Sequence, residues 1–281
     1  MNQAATALRT GFTRGLIELR QSFTGAALIG QLFWPVVTLV AIFFLRDKRI
    51  GAGDFTLGAF ILPSVLGMFV AFGMLLVIQY LYAEREDGTL LRAKATPNGI
   101  LGYFIGKLVT VSGTILAYLA ILLIPGLFIV HGLDIGTIGS WLTLAWVLML
   151  GLVATQSIGA ILGSMISSPR GVGYISLPVM GLIAISGIFA PITSLPQWLQ
   201  WSAQVFPMYW LGLGMRSALL PASAVSVEIG ASWRHLDTVG ALGVWAVLGL
   251  IIAPIVLRRM ARRESGSSVA ARREKLPRRV G

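Results

Sequence analysis

The chain has no cysteine among its 281 residues. Disulfides, thiol nucleophiles and thiolate metal sites are therefore excluded. Histidine is scarce as well, with only His131 and His235, each near an aspartate (Asp134 and Asp237). The three-residue spacing of His131 and Asp134 is one that metal sites use. Two histidines so far apart read more simply as solvent-exposed loop positions, so no metal ligand, cofactor ligand or catalytic residue is expected on this chain. Charged residues make up 12% of the sequence and are nearly absent from its long apolar runs. A proton- or ion-driven carrier usually keeps acids or bases inside its spans, so their scarcity weakens that reading and suggests an apolar or amphipathic cargo. A phosphate-cradling loop is missing too. The nearest candidate, GYFIGKL at 102–108, has the wrong glycine spacing and puts Leu108 where a serine or threonine would hold Mg²⁺. No span carries the serine and histidine of an intramembrane protease.

What is abundant is apolar surface. Hydrophobic residues are 56% of the chain, and the mean hydropathy is +0.82, beyond the range of ordinary soluble domains. Several runs exceed the roughly 18 to 20 residues that cross a bilayer as helix. The expected fold is therefore an all-α membrane protein. Six spans are expected at about 26–45, 56–82, 104–130, 141–166, 173–190 and 239–257. Pro35, Pro63, Pro125, Pro178 and Pro254 fall in them, which membrane helices tolerate when neighbours satisfy the freed backbone groups. Residues 191–238 carry four tryptophans and several prolines. That suggests short helices near 195–201 and 203–219 that enter the outer leaflet and return, as interfacial aromatics favour. A crossing by 203–220, giving seven spans, stays open.

Orientation follows from Lys and Arg. With six spans and both termini cytoplasmic, 17 basic residues lie inside and 5 outside, the outside set being Arg46, Lys48, Arg49, Arg216 and Arg234. The RDKR run at 46–49 is a local exception. The net charge of +11 fits anionic lipid headgroups, and no nucleic-acid module accompanies it. The lead shows no cleavable signal pattern. It is amphipathic, with Leu8, Phe12, Leu16, Leu19 and Phe23 in one stripe and Arg14 and Glu18 opposite, as in a helix on the cytoplasmic interface. Three regions result: an interface helix at 1–25, a membrane domain at 26–257 and a basic cytoplasmic tail at 258–281. Gly159 and Gly163, and Gly67 with Ala71, are small-residue pairs suited to close helix contact. Phe33, Trp34, Phe69 and Phe72 read as packing or lipid-facing rather than as a cargo path.

One stretch concentrates the charge: YAEREDGTLLRAKATPNGILGYFIGK, residues 82–107. Glu84, Glu86 and Asp87 come first, Arg92 and Lys94 last, and Thr96-Pro97-Asn98-Gly99 makes a stop. Acids before bases complement a helix dipole, which predicts a cytoplasmic helix of two to three turns within 84–97. Such a helix could transmit force from a soluble partner, or the segment could merely set topology.

This pattern, E-R-E-D-G-T-L-L-R-A-K-A-T-P followed by Gly106-Lys107, resembles the first cytoplasmic loop of permeases in the ABC-2 type exporter family. A second segment is similar to the motif after that family's fifth span: Ser186-Gly187-Ile188-Phe189-Ala190-Pro191-Ile192, then Leu195-Pro196, Trp198-Leu199 and Phe206-Pro207. The drug-resistance and lipid-export branch, such as the daunorubicin-type permeases, is the most similar. The LLRAKA run departs from the family's more usual sequence. The resemblance implies a permease with no nucleotide site of its own. ATP and Mg²⁺ would sit on partner ABC ATPase subunits, beside a second permease copy or homologue. It implies a coupling helix carrying Glu84, Glu86, Gly88, Thr89, Arg92, Thr96 and Pro97. It also implies a re-entrant outer gate over about 191–220 with Gly187, Phe189, Pro191, Pro196, Trp198 and Pro207. An autonomous carrier or channel, and a membrane enzyme or scaffold, are the other readings that the residues allow.

Overall fold

A computed structural model describes residues 3–48, 56–166, 168–188 and 191–263. Phe189, Ala190, Arg49 and most of the basic tail lie outside the described residues. Those described form helices and 3₁₀ turns without strands. The helices are α1 (Gln3–Ser22), α2 (Ala26–Leu45), α3 (Leu57–Glu86), α4 (Thr89–Lys94), α5 (Gly99–Ile129), α6 (Ile138–Ser164), α7 (Pro169–Ala184), α8 (Gln197–Val205), α9 (Pro207–Leu219) and α10 (His235–Arg263). Several starts are set by local chemistry. Thr56, Thr137 and Ser168 accept the backbone N–H three residues on, at 3.3, 3.2 and 3.3 Å. Proline occupies the first position of α7 and α9, where its missing N–H is no loss.

Five helices, α2, α3, α5, α6 and α10, are long and apolar enough to cross a membrane. The protein is a multi-pass membrane protein. The span expected at 173–190 is instead the 16-residue α7, ending at Ala184. The helix stops because Ser186 Oγ turns back onto the Ile183 carbonyl at 2.6 Å and Gly187 takes a left-handed φ of 77°. The two short helices expected beyond it are present as α8 and α9, divided at Phe206, which is extended.

The core is organised around α3. In its most apolar stretch 72% of residues are buried, against 11% for α2. Glycines let neighbours approach α3 at backbone distance. A Cβ at Gly159 would lie 2.5 Å from the Met74 carbonyl, and one at Gly163 would lie 3.2 Å from Ile78 Cα. The small-residue pair of α6 thus has α3 as its partner. On the other side Gly67 meets Gly212 of α9, while Phe60, further back along α3, faces Arg216, further along α9. The two helices are therefore antiparallel where they touch.

The lead helix docks differently from its apolar stripe. Leu8, Phe12 and Leu16 remain about half exposed, at 49%, 53% and 46%. The packed face is instead Ala7, Gly11 and Gly15, set against Gly102 and Gly106 of α5. Small residues win the protein contact because dispersion rises steeply as backbones close. Of the stripe, Leu8, Phe12 and Leu16 are left for an apolar surrounding, while Leu19 lies against Gly113 of α5 and Phe23 packs on the core. A Cβ at Gly11 would stand 2.3 Å from the Gly102 carbonyl. A Gly11→Leu chain is therefore expected to lose roughly 1–3 kcal/mol of α1 docking. Faster tryptic cleavage after Arg9 and Arg14, with the rest of the bundle still resistant, is the readout.

Candidate functional site

The charged stretch folds at one end of α3. Glu84 and Glu86 occupy the last turn of α3, not the first turn of a separate helix. This corrects the acids-first expectation. Gly88, at φ 80°, breaks the chain, and α4 comes next with only six residues, under two turns. Asp87 Oδ1 accepts the Thr89 N–H at 2.8 Å and starts α4 in place of a conventional cap. α4 buries Thr89, Leu90 and Ala93 and leaves Arg92 and Lys94 outward. Arg92 Nη2 donates to Thr89 Oγ1 at 3.0 Å. Thr96 Oγ1 donates to the Ala93 carbonyl at 3.0 Å. Asn98, at φ 53°, turns the chain into α5.

Acids in the last turn of a helix oppose its dipole, so they need partners. Glu86 accepts from the Tyr82 hydroxyl at 2.5 Å. Glu84 pairs with Lys107, which lies nine residues into α5 rather than at its edge and is 4% exposed. Lys107 also pairs with Glu18 of α1 at 2.5 Å. Its ammonium lies 5.1 Å from the Tyr80 ring centroid and 5.7 Å from that of Tyr103. One cation thus joins α1, α3 and α5. The spans do contain buried charge, and it is paired. Burial works against ionisation of Glu18, yet its hydrogen bonds to Lys107 and Arg14 hold the carboxyl below its ordinary value. Burial likewise opposes the Arg14 charge, and Glu18 overcomes it, raising Arg14 above its usual value.

The expected site residues divide by environment. Glu84 and Thr89 point into the framework. Arg92, Thr96 and Pro97 are exposed and line a cavity of about 540 Å³, closed on its other side by Thr6, Thr10, Arg14 and Tyr103. The same end is tied across the bundle. Arg85 donates to the Ile166 carbonyl after α6, and Lys94 reaches the Arg262 carbonyl of α10 at 3.5 Å.

The second motif lies at the opposite end. Pro191 and Pro196 each precede a helical turn, Ile192–Ser194 and α8 respectively. Pro207 is buried at the head of α9, and Trp198 is 64% exposed. The Gly187 carbonyl accepts from Arg216 Nη1 at 3.0 Å. Arg216 Nε in turn donates to Glu228 at 2.6 Å, and both side chains are fully buried. The charge count along the sequence places Arg216 only among the exterior charges. The signal that could have found it is a lone arginine inside the apolar run PMYWLGLGMRSAL, with Glu228 the one acid in the segment beyond it.

A family profile described as ABC-2 family transporter protein matches residues 30–257. The chain belongs to the ABC-2 transporter family. Both charged motifs of this ABC-2 chain fall within the match, whereas α1, with Glu18, precedes it. A search of the curated proteins gives no match. The ABC-2 assignment makes the chain a membrane component of transport, and its five long apolar helices agree.

The Lys107 cage has two measurable consequences. Lys107→Met leaves Glu84 without its cation beside a Glu18 held only by Arg14, and is expected to cost about 3 kcal/mol, read as a lowered thermal midpoint in detergent. The depressed Glu18 value fixes the sign with pH. Protonation favours the undocked state, so the contribution is full above the ordinary carboxylate value and is lost as pH falls through the depressed one. Protection of the α1 amides against hydrogen exchange, corrected for the intrinsic rate at each pH, should thus be flat from about pH 6 to 8 and fall below about pH 4. A Glu18→Gln chain should lack that acid transition.

Proposed function

We propose that this chain is the permease subunit of an ATP-driven exporter. It would move a hydrophobic or amphipathic drug, lipid or lipid-linked compound outward, powered by separate ABC ATPase subunits that hold the ATP and Mg²⁺. The observation that carries this reading is the α3–α4 end. A short helix and the turn after it present Arg92, Thr96 and Pro97 outward while their root is braced by the Lys107 cage, in a chain without a phosphate-binding loop. A soluble motor seated against Arg92, Thr96, Pro97 and the edge at Glu86 and Gly88 would push on α3 directly. Glu84 and Thr89 would carry that push inward.

The reading keeps six crossings, with α7 as the fifth. Sixteen residues rise about 24 Å, short of a hydrocarbon core about 30 Å thick. A crossing this short is met by local thinning of the bilayer, and α8 and α9 would dip in and return. Trp198 and Trp201, each 64% exposed, suit the headgroup level. An even count puts both termini on one side, and the Lys and Arg bias makes that side the cytoplasmic face of the cell membrane. The domain limits stay at 1–25, 26–257 and 258–281. α2 and α10 leave broad apolar faces, only 11% and 22% buried in their apolar stretches, for lipid and for a second permease copy or homologue.

The test is co-expression with a candidate ABC ATPase. The parent chain should co-purify with it. Glu86→Lys and Arg92→Glu should insert and melt like the parent, yet retain the ATPase at least tenfold less well and lose efflux. Uphill transport by the purified chain alone, or parental efflux in both variants, would overturn the proposal.

A further inference from the structure

The Arg216–Glu228 pair is the most deeply buried charge pair among the described residues, each side chain being 0% exposed. It joins three segments that are separate in sequence. Arg216 closes the last turn of α9, and Glu228 comes directly after the 3₁₀ turn at Ala222–Val227. The third is the Gly187 turn, whose carbonyl accepts from Arg216 Nη1. The Phe60 ring of α3 lies 5.4 Å from the guanidinium carbon. A second tie runs beside it, from Thr193 Oγ1 to the Val227 carbonyl at 3.1 Å. The pair does not satisfy every atom. Arg216 Nη2 and Glu228 Oε2 make no hydrogen bond among the described residues.

As permanent glue this arrangement is a poor choice. Burying two charges carries a desolvation penalty, and well-packed apolar side chains of the same volume often hold a contact as firmly or more so. Charges and apolar groups differ in their fate once they are pulled apart. When the segments part and water enters, a guanidinium and a carboxylate regain hydration, whereas leucine and methionine would expose apolar surface. An ion pair therefore brings the closed and parted states closer in free energy than an apolar contact would. The Gly187 turn adds geometry. Its left-handed φ aims a carbonyl at Arg216, so releasing Arg216 also releases the end of α7.

We propose that Arg216 and Glu228 are gate-positioning residues: their ion pair latches the Gly187 turn, α9 and the 222–228 segment closed, and it parts and rehydrates during transport. The latch deepens the exporter reading and rests on it for its role in turnover.

The cysteine-free chain allows a direct test with Ala224→Cys, at a position 4% exposed. Ala160→Cys, at a position 1% exposed in α6, is the control. In lipid nanodiscs, where both faces are open to a polar maleimide, Glu228→Gln should speed labelling of the 224 reporter at least tenfold and leave the 160 reporter unreactive. The double variant Arg216→Met, Glu228→Leu should fold and label as slowly as the parent. In intact cells the parent's 224 reporter should label faster when ATP is present than after its depletion. The double variant should show one slow rate in both conditions. Parental labelling in Glu228→Gln, loosening of both reporters together, or ATP-dependent labelling in the double variant would each overturn the latch. An ATP-independent parent would sink the exporter reading instead, with the nanodisc comparison still deciding the latch.

Discussion

A lysine ammonium almost wholly withdrawn from solvent is the constraint on which the α4 end depends. Burying a cation there is costly unless carboxylates face it. They come from two directions, Glu18 of α1 and Glu84 of α3, with Tyr80 and Tyr103 closing the sides. Meeting that one requirement sets where α1 docks and where α3 ends relative to α5. It also explains acids in the last turn of α3, where the helix dipole disfavours them. Arg14 then completes the set by holding Glu18 from its own helix. Removing any member leaves a buried charge unbalanced, so the group acts as a unit.

The other end solves a similar problem with fewer parts. There one guanidinium takes a carboxylate and a backbone carbonyl. The two ends thus share a principle, a buried cation joining three segments, but differ in what they join. At the α4 end the segments are helices of 20 to 31 residues, packed along their length through glycines. At the α8 end they are turns and helices of 13 residues or fewer, apart from the end of α7. Long packed helices resist separation because many contacts must be lost together. Turns held by a few polar bonds do not.

Much of the architecture was legible in the sequence because its signals are local. The first apolar run, 26–45, coincides with α2, and the runs expected from about 56, 141 and 173 appear as α3, α6 and α7, which start at Leu57, Ile138 and Pro169 where Thr56, Thr137 and Ser168 cap them. The breaks at Gly187 and at Phe206–Pro207 fall inside segments expected as continuous, 173–190 and 203–219, and the left-handed Gly187 and the proline that starts α9 account for them. What was hidden depends on pairing across distance. The docking face of α1 is a small-residue row that a search for bulky stripes passes over. The acids of 84–86 read as the start of a helix because nothing local shows that Lys107 is waiting for them. Arg216 read as an exterior charge because the carbonyl and carboxylate that bury it lie 29 and 12 residues away. The family resemblance placed Gly187 within a motif. The structure adds what that glycine offers, a carbonyl aimed at an arginine.

Between Gly67 and Glu84, α3 has no proline and runs about 25 Å as one beam. Rotating such a beam by about 5° about the Lys107 end sweeps the Gly67 end by about 2 Å. At that end the contact is backbone against backbone, where even a methyl group on Gly67 would sit 3.3 Å from Gly212 Cα. No flexible side chain lies between the two to take up a displacement of that size. Any tilt of α3 toward α9 must therefore carry α9 along rather than be cushioned, and the bundle transmits motion across its thickness with almost no slack.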